Sequence, residues 1–207
     1  MYKKNLFGKI IIFIIIFLAL FLTLVPLAWI TLSSFKVEAD QFSIPPKWFP
    51  ERLTLDNYIT FFSNAELLQS LFNSVITTVL STFIALLLGV PAAYALARFD
   101  WKHSNKISFM ILLARMTPPI VMVLPFFMIA RYLNISNTYI PIIIALSFFS
   151  VPFAVWMMRG FFQEIPNSIE EAAMIDGCTR VQALGKVILP LSMPGLAATS
   201  ILCALIS

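Results

Sequence analysis

From Ile10 to Leu32 the chain reads as one apolar run without a charged residue, and nothing else in it narrows the choice of fold so far. A bilayer core is crossed by about 20 apolar residues in a helix, whereas a signal-peptide core takes only about 7 to 15. The run is therefore a membrane span. Lys3, Lys4 and Lys9 precede it and place the amino terminus inside. Composition extends this to the whole chain: 60% of residues are hydrophobic and 12% charged, against about 25% charged in soluble domains. The net charge of +4 then reports orientation. No basic run with interleaved aromatics offers a nucleic-acid surface. Cys178 and Cys203, the only cysteines, lie in different surroundings and indicate neither a disulfide framework nor a metal site. His103 stands alone, and no carboxylate pair or nucleophilic triad forms around it. The fold class is an all-α, polytopic helical bundle in a single domain, with no cofactor expected.

Four further apolar segments follow, so the expected spans are about 10–32, 69–96, 107–132, 139–158 and 191–207. The segment 33–67 carries Lys36, Lys47 and Arg52 against Glu38, Asp40, Glu51, Asp56 and Glu66, or 3 − 5 = −2, and is placed outside. Within it, Ile44 to Phe62 mixes Pro45, Pro46 and Pro50 with Trp48, Phe49, Tyr58 and Phe61. That composition predicts an extended stretch lying at the interface, as an aromatic belt or a partner surface. In the second span, Gly89 to Ala93 form a small-residue face for close helix packing. The third span holds Arg115, Pro118, Pro119 and Pro125. An unsatisfied backbone group in lipid costs several kcal/mol, so prolines this dense predict a broken helix buried against protein or lining a cavity, a candidate pathway or gate. Arg115 lies eight residues in, about 12 Å deep, where snorkelling to the inner surface and a pathway role are both open. Of the fourteen Lys and Arg residues, nine fall in inner segments, four in outer ones, and one, Arg115, in the membrane: 9 + 4 + 1 = 14. The last span begins at Leu191 and is still apolar at Ser207, short of a crossing, so it reads as incomplete.

The long inner loop, 159–190, is polar between two apolar segments. Ser168 with Glu171 has the spacing of a capping box, predicting a short helix from about Asn167 or Ser168 that Asp176 and Gly177 end. Thr179 with Gln182 repeats the signature, and Val181, Leu184 and Ile188 follow at helical spacing until Pro190, which is expected to close the second helix. Two short helices joined at a glycine make a compact knob on the membrane surface. A capped amphipathic helix lying on lipid would account for Ser168 and Glu171, but not for Gly177 or the register of Leu189 and Pro190.

These residues resemble the EAA loop of ATP-binding-cassette importer permeases. Glu171, Ala172, Ala173, Gly177, Leu189 and Pro190 match that pattern in register, with Val187 where it has Ile. The proline-rich outer loop, the run from Pro91 to Arg98, and the pair Asp176 and Gly177 are similar to carbohydrate permeases of the MalG type. The resemblance implies a cytoplasmic coupling helix, built on Glu171, Ala172, Ala173, Asp176, Gly177, Leu189 and Pro190, that seats in a groove of a separate ATPase. It also implies a second, MalF-like permease, an extracytoplasmic solute-binding protein, and a bacterial or archaeal plasma membrane as the setting. Glu171 would then face a basic residue of the ATPase, and Gly177 would supply a bend that a side chain obstructs.

The chain is not expected to be an enzyme, because none of its six glycines stands in P-loop spacing and ATP must be handled elsewhere. Family permeases continue past this point with a sixth span, so residues 1–207 alone are not expected to form an active importer. A permease for a non-sugar solute would share the same loop. A truncated membrane scaffold without transport is the reading from a different class.

Overall fold

The computed structural model describes residues 6–99 and 102–207, so the readings of Lys3 and Lys4 lie outside it. Among the described residues the regular structure is helical, with one isolated antiparallel bridge between Lys36 and Leu53. Three helices are long and apolar enough to cross a membrane: Gly8–Ser34, Ala65–Arg98 and Ile140–Glu164. Two bent helix pairs raise this to five if each pair is one span. The chain is thus an all-α membrane bundle. It divides into two compact units after Leu71.

In the first unit, α1 (Leu6–Ser34) is the opening apolar run, and its most apolar window is bare of protein cover. Thr23 and Thr31 satisfy their hydroxyls within the helix, donating to the carbonyls of Ala19 and Leu27 at 2.8 Å each, as hydrocarbon surroundings require. The segment that follows keeps residues 44–55 free of helix, in line with the extended backbone its composition predicts, but turns helical from Asp56. It folds through α2 (Glu38–Gln41) and α3 (Asp56–Ser63) around the buried Lys36. The Lys36 Nζ donates to the Lys47 carbonyl at 2.5 Å and lies 4.0 Å over the Trp29 ring, and Trp29 meets Trp48 edge-on. Lys47 pairs with Asp40 at 2.8 Å and Glu51 at 2.7 Å. The hydrogen bond from Lys47 holds the Asp40 carboxyl below its usual value, so this pair supports the loop at neutral pH and loses that effect as pH falls through the lowered value. Composition registers the aromatics, but it does not register which side chains the loop brings together.

The long helix α4 (Ala65–Arg98) belongs to the second unit from Phe72 on. It packs on α7 (Ile140–Glu164) along Ala85, Gly89 and Ala93, four residues apart, with both alanines fully buried. The packing face is this stripe and not the contiguous Gly89–Ala93 stretch, because a helix returns to the same side only every third or fourth residue; Pro91 is exposed. A Cβ on Gly89 would stand 2.7 Å from the Cβ of Ala154. The core continues with Val90, Tyr94 and Leu96 against Val155, Met158 and Phe162.

Proline density marks the third apolar segment as expected. Helix α5 (Ser104–Arg115) stops, Pro118 and Pro119 open α6 (Pro119–Tyr132), and the two halves meet at 84°. Pro125 sits inside α6 without breaking it. Beyond α7 come α8 (Asn167–Ile175), α9 (Arg180–Ala183), a π-helical stretch (Leu184–Ile188), α10 (Leu189–Leu191) and α11 (Met193–Ile206). Pro190 does not close the second short helix. The wider π-helical turn just before it makes room for the ring and the missing N–H, and the rod runs on to Leu191. The 80° break comes at Ser192 instead, and Pro194 sits in the first turn of α11, where no N–H is needed.

Candidate functional site

The polar loop folds as α8, a glycine turn and α9. Helix α8 starts at Asn167 with Pro166 in the capping position and no side-chain cap bond. The box expected from Ser168 and Glu171 is therefore absent: both lie inside the helix, because Pro166 takes the place the serine was to fill. The second box is present, Thr179 accepting from the Gln182 N–H at 3.3 Å and Gln182 Oε1 accepting from the Thr179 N–H at 2.9 Å.

Gly177 ends α8 with φ +91°. The Gly177 N–H donates to the Met174 carbonyl at 3.1 Å and the Cys178 N–H to the Ala173 carbonyl at 3.0 Å, the bond pair of a Schellman cap. Space around Gly177 is open, so a side chain there is not obstructed, and the demand for glycine lies in the left-handed backbone alone. Gly177→Val is accordingly expected to destabilise the turn by about 1–2 kcal/mol, with Gly177→Asn costing visibly less. Faster amide exchange at Cys178 in the valine variant, and a smaller change with asparagine, is the check.

Within α8 the helical period separates two adjacent acids. Glu171 and Ala172 are exposed, whereas Ala173 and Glu170 are buried. The Glu170 carboxylate receives the Tyr94 hydroxyl at Oε1, and its Oε2 pairs with Arg98 Nε at 2.9 Å, the two side chains being 5% and 4% exposed. That contact is an ion pair whose N–H does not point squarely at the oxygen. The rest of the guanidinium is engaged too: Nη1 donates to Asn167 Oδ1 at 2.5 Å and Nη2 to the Ile165 carbonyl at 3.0 Å. Arg180 stands 4.0 Å from the same carboxylate and lies over the Phe99 ring. Tyr94 also meets Phe162 edge-on.

The sequence reading selected Glu171 and passed over Glu170. The signal was present, since Glu170 and Ala173 are three residues apart on one stripe of α8, and Tyr94 and Arg98 are four apart on α4. What could not be read was that the two stripes meet. The outward side of the knob carries Glu171, Ala172, Asp176 and two bare aliphatic side chains, Ile175 at 86% and Val181 at 80% exposed. Leu189 and Pro190 do not join it: Leu189 packs against the core of α4 and α7, and Pro190 lies on the rod behind.

The second group of candidates lies apart from the knob. Arg115 and Pro119 line a cavity of about 410 Å³ with Met122, Phe126 and Phe149, and the Arg115 guanidinium lies 4.2 Å over the Phe153 ring. Pro118 forms the break beside it, and Pro125 is exposed further along α6.

Against known proteins, residues 85–207 match the family described as binding-protein-dependent transport system inner membrane component. The chain is 40% identical over 195 residues to the sulfoquinovosyl glycerol transport system permease protein SmoH of Agrobacterium fabrum, covering 94% of this chain and 68% of that one. It is 34% identical over 201 residues to the diacetylchitobiose uptake system permease protein DasC of Streptomyces coelicolor, covering 96% and 72%. A crystal structure of a bacterial ABC transporter involved in the import of the acidic polysaccharide alginate superposes with a TM-score of 0.73 at 26% identity, over 99% of this chain and 71% of that one. The fold, the polar knob and these likenesses agree: the chain belongs to the binding-protein-dependent inner membrane components, as a multi-pass permease subunit of an ABC importer that works with a solute-binding protein and whose ATPase is a separate subunit.

Proposed function

We propose that the chain forms half of the translocation pathway of a sugar importer, beside a second permease, and that its α8 knob is the coupling element seated in the ATPase. The observation that carries the coupling role is the bare pair Ile175 and Val181 at the tip of a polar loop. Aliphatic side chains exposed on the aqueous side of a membrane protein have no lipid to meet, and a protein groove is their natural cover. Glu171 and Ala172 flank the pair, the one offering a charge and the other allowing close approach. The surplus of Lys and Arg in the segments on the side of this loop, nine against four, supports a cytoplasmic knob and a cytoplasmic amino terminus.

A sugar cargo draws on the names of the relatives, which include permeases for sulfoquinovosyl glycerol, diacetylchitobiose and trehalose. The bend at Pro118 and Pro119, the exposed Pro125 and the cavity at Arg115 supply the pathway or gate. Coupling is mechanical: ATP closes the ATPase pair, the knobs are drawn together, and the permeases turn from inward-open to outward-open. No cofactor is needed in this chain.

Fully burying one such aliphatic side chain contributes about 1.5–3 kcal/mol. In the assembled importer, Ile175→Asp with Val181→Asp is therefore expected to lower ATPase affinity by about a hundredfold or more, and Glu171→Gln to lower it less, with membrane insertion unchanged. Co-purification of the ATPase and uptake of a labelled disaccharide into proteoliposomes, with methionine as the non-sugar control, are the measurements. Normal ATPase retention in the double variant would remove the coupling reading, and preference for methionine would remove the sugar.

A further inference from the structure

We propose that Glu170 is the positioning residue that makes α8 move α4. Its buried carboxylate fastens the coupling helix to the end of the longest helix of the second unit, so that a pull on the knob turns the bundle instead of bending the loop. This rests on the reading of α8 as the ATPase-coupled element, and it concerns a residue on the face opposite to the docking side.

The covalent connections of α8 are poor levers. On one side it joins α7 through the extended Ile165 and Pro166, and on the other it ends at the Gly177 turn. A displacement of α8 carried by these links alone would be taken up in their backbone angles. Helix α8 packs along α9 and the π-helical stretch, and its buried carboxylate reaches past them to α4, far away in sequence. Tyr94 and Arg98, one helical turn apart, hold the two oxygens of Glu170 separately.

The same Arg98 guanidinium reaches Asn167 in the first turn of α8 and the Ile165 carbonyl just before it. One planar group thus grips α8 at its entry, its first turn and its middle. Three points of attachment fix both the position and the roll of a short helix, which a single contact would leave free to pivot.

The chemistry of the clamp fits a directional role. A buried ion pair is often no more stabilising than a well-packed apolar pair of similar volume, so stability alone gives no reason for charges here. What fixes the geometry is the set of hydrogen bonds flanking the ion pair: the planar guanidinium donates to Asn167 and to the Ile165 carbonyl along fixed N–H directions, and Tyr94 donates to the Glu170 carboxylate. An apolar pair would slide. The clamp therefore holds the angle between α8 and α4 fixed while load passes through it.

The test uses the assembled importer in proteoliposomes, reading ATP hydrolysed, labelled solute taken up, ATPase co-purified and thermal stability for each variant. Glu170→Gln is expected to retain ATPase and hydrolysis while solute moved per ATP falls about tenfold, since the fixed geometry of the pair is lost. Tyr94→Phe, which removes one hydroxyl and leaves the ion pair, is expected to show a smaller fall. Glu170→Leu combined with Arg98→Leu separates positioning from folding. It should recover stability close to that of the parent and still move little solute per ATP.

Parent-like coupling in Glu170→Gln overturns the proposal. So does recovery of both stability and coupling in the apolar double variant, because then any packed contact suffices. Loss of ATPase binding in Glu170→Gln overturns it as well, by assigning the clamp to the shape of the docking surface. Failure of the underlying reading is seen elsewhere, in the Ile175→Asp and Val181→Asp variant: if that variant keeps its ATPase, α8 is not the docking element, whatever Glu170 does.

Discussion

Arg98→Leu is expected to lower the stability of the permease by about 3 kcal/mol, since removing one member of a buried ion pair leaves the other charge uncompensated. The geometry puts Arg98 at the sensitive end of its pair. Its guanidinium reaches Glu170, Asn167 and the Ile165 carbonyl, so the substitution strips a buried carboxylate of its near cation and orphans two further acceptors. Arg180 is 4.0 Å from the same carboxylate and half exposed, which keeps the loss below that of a fully isolated charge. Glu170→Gln leaves Arg98 its two neutral acceptors and should cost less. The check is unfolding in detergent by SDS titration. A single Arg98→Leu variant as stable as the parent would mean that the buried pair does not hold α8 to α4.

Gly89→Leu is expected to cost about 3 kcal/mol or more, above the usual range for overpacking, because the contact it invades has no give. A Cβ at position 89 would already stand 2.7 Å from the Cβ of Ala154 and 3.4 Å from the Val155 nitrogen. Both are atoms fixed by the α7 backbone, so relief must come from moving whole helices. Gly89→Ala should cost part of this, and combining it with Ala154→Gly should restore most of the loss, since the pair shares one volume. The same titration reads both. Additive losses in the double variant would show that α4 and α7 are not pressed together at this point.

Several features are legible in the sequence alone. A chain with continuous apolar runs broken by short polar segments reads as a membrane helical bundle, because lipid tolerates no unsatisfied backbone and a helix satisfies its own. The bend at Pro118, the capping box of Thr179 and Gln182, and the glycine at the end of α8 are likewise local matters, each decided by a residue's own backbone or its neighbour three positions on. The EAA pattern led to the family on the same terms.

The readings that failed turned on how neighbouring stretches fold onto one another, which residue types alone do not state. Lys36 and Lys47 entered the sequence reading only as part of a net charge, and the fold set them on Trp29, Asp40 and Glu51. Pro190 looked like a helix end, but the π-helical turn before it absorbed the ring and moved the break to Ser192. The two acids of α8 show the division most plainly. Helical period alone placed them on different sides, and so the sequence by itself determined that one would face the protein and one the solvent. Which was which, and that the inward one would meet Tyr94 and Arg98, only the tertiary structure decided. A carboxylate's surroundings are set by what packs against it, and here those groups come from a helix more than seventy residues earlier.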